Sequence, residues 1–186
     1  MKFQMPKSIK IIDRSSSITN AFFNGIIPSI EPTNEQIEKV LEILNIDKDN
    51  ITCCYCGDKA TEWEHFRPLI VKKKPTGYIT EIHNLVPSCS KCNQSKGNKN
   101  WCEWIISEAK LSPKKRNVKD LEEKINRLKD FDKWEKPIII ENFEAIVGKT
   151  LWEQHNNNLD EIQNKMKEYQ KNADEIKKKL EKSIMK

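Results

Sequence analysis

Two Cys-x-x-Cys pairs constrain this chain more than any other feature: Cys53/Cys56 and Cys89/Cys92, with 32 residues between them. A Cys-x-x-Cys turn aims two thiols at one point. Two such turns complete a tetrahedral set of four soft sulfur ligands with no open position, the donor set of a structural Zn²⁺. The spacing selects Cys53 rather than its neighbour Cys54, which reads as a spare thiol. Cys102, between Trp101 and Trp104 on a helical pattern, reads as core. A secreted disulfide framework would spread its cysteines more widely and follow a signal peptide. Here lysines interrupt the first ten residues, and no apolar run approaches the ~18 residues of a membrane span. The expectation is a cytoplasmic protein with no membrane segment. The metal is expected to fasten the strand after Cys56 to the helix after Cys89 and to supply folding energy for the short, polar stretch between them.

Charge adds a direction. The net charge is +5, and the excess is unevenly placed. Residues 51–109 hold eight Lys/Arg against six Asp/Glu, and residues 110–186 nineteen against fifteen. That tilts the middle and C-terminal parts towards a nucleic-acid partner.

Periodicity outlines the rest. Thr33 with Gln36 three residues on forms a capping box. Ile37, Val40, Leu41 and Leu44 then predict an amphipathic helix over 34–45. Residues 1–30 read as irregular, with Ser15-Ser16-Ser17 and Asn24-Gly25 as turn material. Residues 51–68 read as a knuckle running into a strand, and Tyr78-Ile79-Thr80 as a second short strand. Helical patterns follow from Cys89 to a break at Gly97, from Trp101 to Ala109, and around Leu121, Ile125 and Leu128. Lys114-Lys115-Arg116 reads as a basic linker. Leu159, Ile162, Met166, Tyr169, Ala173, Ile176 and Leu180 form a heptad seam on a long helix. It suits packing on the chain's own helices or on a second copy, which would make a homodimer. His155 on this helix reads as a surface residue. The expected fold is α+β and mostly α. The expected division is an N-terminal segment (1–50), a core (51–110) and a C-terminal helical region (111–186).

Between the pairs the chain reads Trp63-Glu64-His65-Phe66-Arg67-Pro68, then Ile82-His83-Asn84-Leu85, then Cys89-Ser90-Lys91-Cys92-Asn93-Gln94-Ser95-Lys96-Gly97. Over roughly 53–104 this resembles the HNH nuclease family, whose core is a small ββα-metal unit. The resemblance implies Glu64 and His65 as the paired acid and histidine of the first strand, Asn84 as the middle asparagine, and Asn93 as the residue after the last cysteine. Glu stands where Asp is commoner, and Asn where the last letter is often His. The implied activity is metal-dependent endonuclease cleavage of DNA, as in restriction or phage-defence members, some of which work beside a partner ATPase or methyltransferase.

The chemistry asks for these residue types. Hydrolysing a phosphodiester needs an activated water and stabilised charge on the phosphate. A neutral imidazole takes a proton near pH 7, so His65 suits a general base. Glu64 and the Asn93 amide oxygen are hard donors suited to Mg²⁺ or Mn²⁺. Asn84 suits a brace across the loop. Arg67, Lys72, Lys73, Lys74, Lys96 and Lys99 are candidate nucleic-acid contacts. His83 reads as structural. Two alternatives explain part of the pattern: a non-catalytic zinc-ribbon module, and an HNH nuclease directed at RNA. The first leaves Glu64, His65 and Asn93 without a role.

Overall fold

The structure, a computed structural model, describes residues 3–184. These divide into two compact units, 26–141 and a second made of the described residues up to Gly25 and from Asn142 on. The expected boundaries at 50/51 and 110/111 both fall inside the first unit. The architecture is α+β and mostly helical, as the sequence implies.

In unit 26–141, α2 (Asn34–Ile43) opens with the expected box: Thr33 accepts from the Gln36 N–H, and the Gln36 side chain accepts from the Thr33 N–H. Its buried Val40, with Leu44 just past its end, joins the core. The knuckle follows. Cys53 N–H donates to Asp58 O at 2.7 Å, and Gly57, at φ +80°, closes the turn by donating to Cys53 O at 2.8 Å. A left-handed residue is needed there, which is why glycine follows Cys56.

Strand β1 (Glu62–His65) then pairs antiparallel with β4 (Leu85–Ser88). The partner strand is thus 85–88, not the expected 78–80. Residues 78 and 80 make only isolated bridges, Tyr78 to Ile139 and Thr80 to Ser29. Pro87 hid the true strand, because a proline lacks the ladder N–H. In a two-stranded ribbon only one edge needs pairing; the Pro87 carbonyl still accepts from Cys54 N–H at 3.0 Å. Between the two strands, β2 (Ile70–Val71) and β3 (Lys74–Pro75) form a tight hairpin. Lys72 and Lys73 are its two-residue turn, at φ +51° and +64°. Positive φ at both positions is the turn geometry that matches strand twist.

Helix α3 (Ser90–Lys96) starts at Cys89 and stops at Gly97, as expected. Asn100 caps α4 (Trp101–Ile105) by accepting from Cys102 and Glu103 N–H. Helix α5 (Leu121–Trp134) closes the unit. Aromatic contacts hold these elements together: Tyr55 meets Trp104 edge-on at 5.2 Å, and Phe66 stacks on Trp101 and meets Phe131 edge-on, both at 5.1 Å. Trp101 and Trp104 are buried while Cys102 between them is exposed, so Cys102 is not core. Consecutive helix positions point about 100° apart, and only one side of α4 faces inward.

The second unit corrects the reading of the N-terminus. Ser15-Ser16-Ser17 is not a turn; it opens α1 (Ser15–Asn24), preceded by a 3₁₀ turn at Ile11–Arg14. Helix α6 (Phe143–Val147) leads into α7 (Lys149–Ile184). Helix α7 packs on α1 and on the 3₁₀ turn, with Gln163 donating to Thr19 Oγ1 at 2.9 Å. Leu159 and Met166 of the heptad seam are buried here, whereas Tyr169, Ile176 and Leu180 are exposed. His155 is not a plain surface residue. Its ring lies 5.4 Å from Phe22, 6.2 Å from Phe23 and 6.4 Å from Trp152. No helix among the described residues is long and apolar enough to cross a membrane.

Candidate metal centre and active site

The four predicted sulfurs converge. Cys53, Cys56, Cys89 and Cys92 place their Sγ atoms within 4.8 Å of one another, and Cys56 and Cys89 are 3.6 Å apart. Four thiolates around one Zn²⁺ at ~2.3 Å stand about 3.8 Å apart, so the cluster fits the ion. The thiols are unsettled among themselves. Hydrogen bonds from Cys56 and Cys92 pull the Cys53 thiol down to about 4, and the same crowding pushes Cys92 up. A cation at the centre resolves that conflict by ionising all four. Cys54, buried beside them, is not part of the cluster.

Glu64 and His65 sit next to this centre on β1, and the strand sends them to different surroundings, as alternation requires. Glu64 is only 4% exposed. It accepts from the Tyr55 hydroxyl, and Lys96 Nζ lies 3.4 Å from each of its oxygens. Lys96 itself is fully buried and donates to His65 O at 2.8 Å. Burial raises the Glu64 carboxyl above its ordinary value, against the Lys96 charge, and lowers the Lys96 ammonium. The pair therefore ties α3 to β1 at the histidine.

The imidazole of His65 faces Thr80, with Nε2 2.9 Å from Thr80 Oγ1. That leaves Nδ1 as the nitrogen available to a water. Burial, helped by the Lys96 charge, lowers the His65 pKa, so the ring is neutral at pH 7 and able to accept a proton. Asn84 is fully buried and braces the loop. It accepts from Arg67 N–H at 2.8 Å and donates to Arg67 O at 3.1 Å and Ile79 O at 3.3 Å. Asn93 lies half-buried one residue past Cys92. It shares a helix face with Lys96 three residues on, and that face meets β1.

Two candidate phosphate contacts are engaged elsewhere. Lys96, paired with Glu64 in the interior, is not on the surface. The Arg67 guanidinium bonds the Asp132 carboxylate, and it bonds Asp132 O and His83 O, each at 3.1 Å. Lys96 is an interior group, while Arg67 is half-buried and tied to a partly exposed carboxylate. Lys72, Lys73, Lys74 and Lys99 remain exposed. Lys99 also bonds Ser95 O at 2.7 Å, at the end of α3. His83 bonds Glu81 at 2.8 Å and Glu135 at 3.1 Å and packs against Trp134, a structural position. Reading the sequence did not find Tyr55, Thr80 or Lys96 in these roles. Tyr55 carried a usable signal, since a knuckle residue between Cys54 and Cys56 has no distance to travel.

For a second, catalytic ion the donor types are right but the placement is not. The Glu64 carboxylate is buried against Tyr55 and Lys96, with no open face for a hydrated cation. As arranged, both Glu64 oxygens are taken up by Tyr55 and Lys96.

Comparison with known proteins finds matches over this stretch. Residues 53–99 match the family of HNH endonucleases. The chain is 35% identical over 60 residues to the CRISPR-associated endonuclease Cas9 of Corynebacterium diphtheriae. That stretch is 32% of this chain and 6% of the Cas9 protein. No solved structure matches the chain. Residues 53–99 are an HNH endonuclease domain.

Proposed function

We propose that this chain is an endonuclease that hydrolyses phosphodiester bonds in DNA, with His65 as the general base. The observation that carries the reading is His65 itself: a half-buried imidazole, held by Thr80 through Nε2, on the first strand of an HNH domain. Nδ1 takes the proton from the attacking water as the new phosphorus–oxygen bond forms and the bond to the leaving sugar oxygen breaks, and that oxygen takes its proton from solvent water. Asn84 holds the loop beside it, and Asn93 on α3 is proposed as an amide-oxygen donor to the catalytic ion. The exposed hairpin tip at Lys72-Lys73, with Lys74 and Lys99, supplies positive charge for the backbone of the duplex.

Restriction or phage defence is the proposed setting. The relative's name, a CRISPR-associated endonuclease, supports it for that protein and by extension here. A partner ATPase or methyltransferase belongs to the same proposal. So does a homodimer through the half of the α7 seam left exposed, Tyr169 to Leu180. A cytoplasmic location completes the reading. Catalysis is proposed to need Mg²⁺ or Mn²⁺, and because Glu64 is engaged with Lys96, binding the ion requires that carboxylate to be released or other donors to be used.

One observation favours a second reading. With Glu64 buried and Arg67 and Lys96 committed internally, the domain has the make-up of a zinc-braced binding module. The test is nicking of supercoiled plasmid by the zinc-loaded chain in chelator-free buffer, with Mg²⁺ or Mn²⁺ titrated in, beside single-stranded RNA. EDTA is a poor arbiter, since it strips the structural zinc too. Plasmid nicking that rises with added ion supports the nuclease. Binding without cleavage of either polymer supports the module, and cleavage of RNA alone changes the substrate.

A further inference from the structure

We propose that Arg116 is an outer-shell partner of the zinc centre, donating to its sulfurs from outside the HNH domain and offsetting the charge of the four thiolates. Arg116 lies well past the matched segment 53–99. It belongs to Lys114-Lys115-Arg116, which reads in sequence as a plain basic linker. The structure separates the three. Lys114 and Lys115 are exposed and pair with Glu108 at 3.0 and 3.1 Å. Arg116 turns inward, and its Nη2 approaches Cys92 Sγ at 2.8 Å.

The turn that aims it is itself fixed. Ser112, fully buried, donates to Ser107 O at 2.6 Å and accepts from Lys115 N–H at 3.2 Å. Lys114 N–H donates to Ile105 O at 3.1 Å, and Arg116 N–H donates to Ser112 O at 3.1 Å. The backbone is thus bolted to the end of α4 before the side chain reaches the cysteines.

The carboxylate near Arg116 pairs with it only loosely, and part of the guanidinium is left without a partner. Arg116 Nε is buried without a hydrogen-bond partner, and the nearest carboxylate, Asp58, stands 3.7 Å from Nη1. Beside four neutral thiols this half-buried guanidinium would face a weak acceptor and an unmet donor. Beside Zn²⁺ held by four thiolates, a centre of net charge −2, it has a partner for its charge and its N–H groups. Lys124 Nζ also lies near Gly57 of the first knuckle. A hydrogen bond to a coordinating thiolate drains charge from the sulfur and holds it in place, the general function of an outer-shell contact.

The test uses the full-length chain loaded with Zn²⁺ or with Co²⁺. Arg116→Gln should surrender Zn²⁺ to a chromogenic chelator about 10–100-fold more readily, the usual cost of an outer-shell partner. Lys115→Gln, one residue away, should retain zinc as the parent does. In the Co²⁺ form, Arg116→Gln and Arg116→Lys should both shift the thiolate-to-metal charge-transfer band to lower energy, because a sulfur without the guanidinium bond is richer in electrons. A merely structural arginine would leave that band in place. Should Arg116→Gln fail to fold, Arg116→Lys decides alone, since it keeps the stem and charge and loses the fork. Parent-like zinc retention in Arg116→Gln, or an unmoved band in Arg116→Lys, overturns the proposal. Neither readout depends on cleavage, so the outcome is independent of the proposed nuclease activity.

Discussion

The four thiols meet because backbone turns aim them; Glu64 and His65 are placed by other side chains. At the cysteine cluster, a glycine-closed knuckle and the first turn of α3 deliver two sulfurs each, and little else is needed. At the neighbouring site, Glu64 depends on Tyr55 and Lys96, His65 on Thr80 and on Lys96 through its carbonyl, and the loop between them on Asn84. The first centre should therefore fail all at once when its ion is lost. The second should fail by degrees as its neighbours are changed one at a time.

The largest expected effect is at the metal. Structural zinc contributes on the order of 10 kcal/mol in small domains. One zinc per chain should be found by elemental analysis, and Cys89→Ser should lose both the ion and the cooperative unfolding of unit 26–141. A zinc-free protein with unchanged thermal unfolding would break the comparison from that side.

Next comes the buried pair. Glu64→Gln or Lys96→Met alone leaves an uncompensated buried charge and should cost about 3–5 kcal/mol by denaturant unfolding. The double variant should cost much less than the sum, because both charges leave together. Additive losses would mean that the two groups do not depend on each other. The double variant also asks what Glu64 does. If it is a strut alone, the stable double variant keeps its response to added Mg²⁺; if it is an ion ligand, that response weakens.

These distinctions explain how far the sequence could be read. The cysteine spacing, the Thr33–Gln36 box and the stop at Gly97 are local features, and each is set by residues within a few positions. The helical opening at Ser15 was hidden because serine serves equally as a turn residue or in a first helical turn. The β4 strand was hidden by Pro87. At the site, residue types were legible but partners were not. Lys96 lies 32 positions from Glu64, and nothing in a lysine's spacing tells a surface charge from a buried one. The Arg67 pairing was hidden for the same reason: its partner Asp132 is 65 positions away.

A smaller effect is expected at Thr80. Thr80→Val removes the group that holds His65 Nε2 and should slow cleavage about 10-fold, less than the ~10²–10⁴-fold of removing a general base outright, while leaving zinc content alone. The pH profile sharpens it. A base must be neutral to act, so the rate falls as pH drops through the His65 pKa. Burial and Lys96 lower that pKa, so the acid limb should lie below the ordinary value of about 6.5. Lys96→Met, which removes the positive charge facing the base, should move the limb to higher pH. A limb that stays fixed would detach Lys96 from the base.

The central claim is that His65 does the chemistry inside a frame that zinc holds. The measurement that tests it is plasmid nicking by purified parent and His65→Ala proteins, with zinc content and melting curves taken on the same samples. The account predicts zinc and melting close to the parent, DNA binding retained, and nicking down by about 10²–10⁴-fold, the usual weight of a general base. Parent-like nicking by a folded, zinc-loaded His65→Ala protein would contradict it.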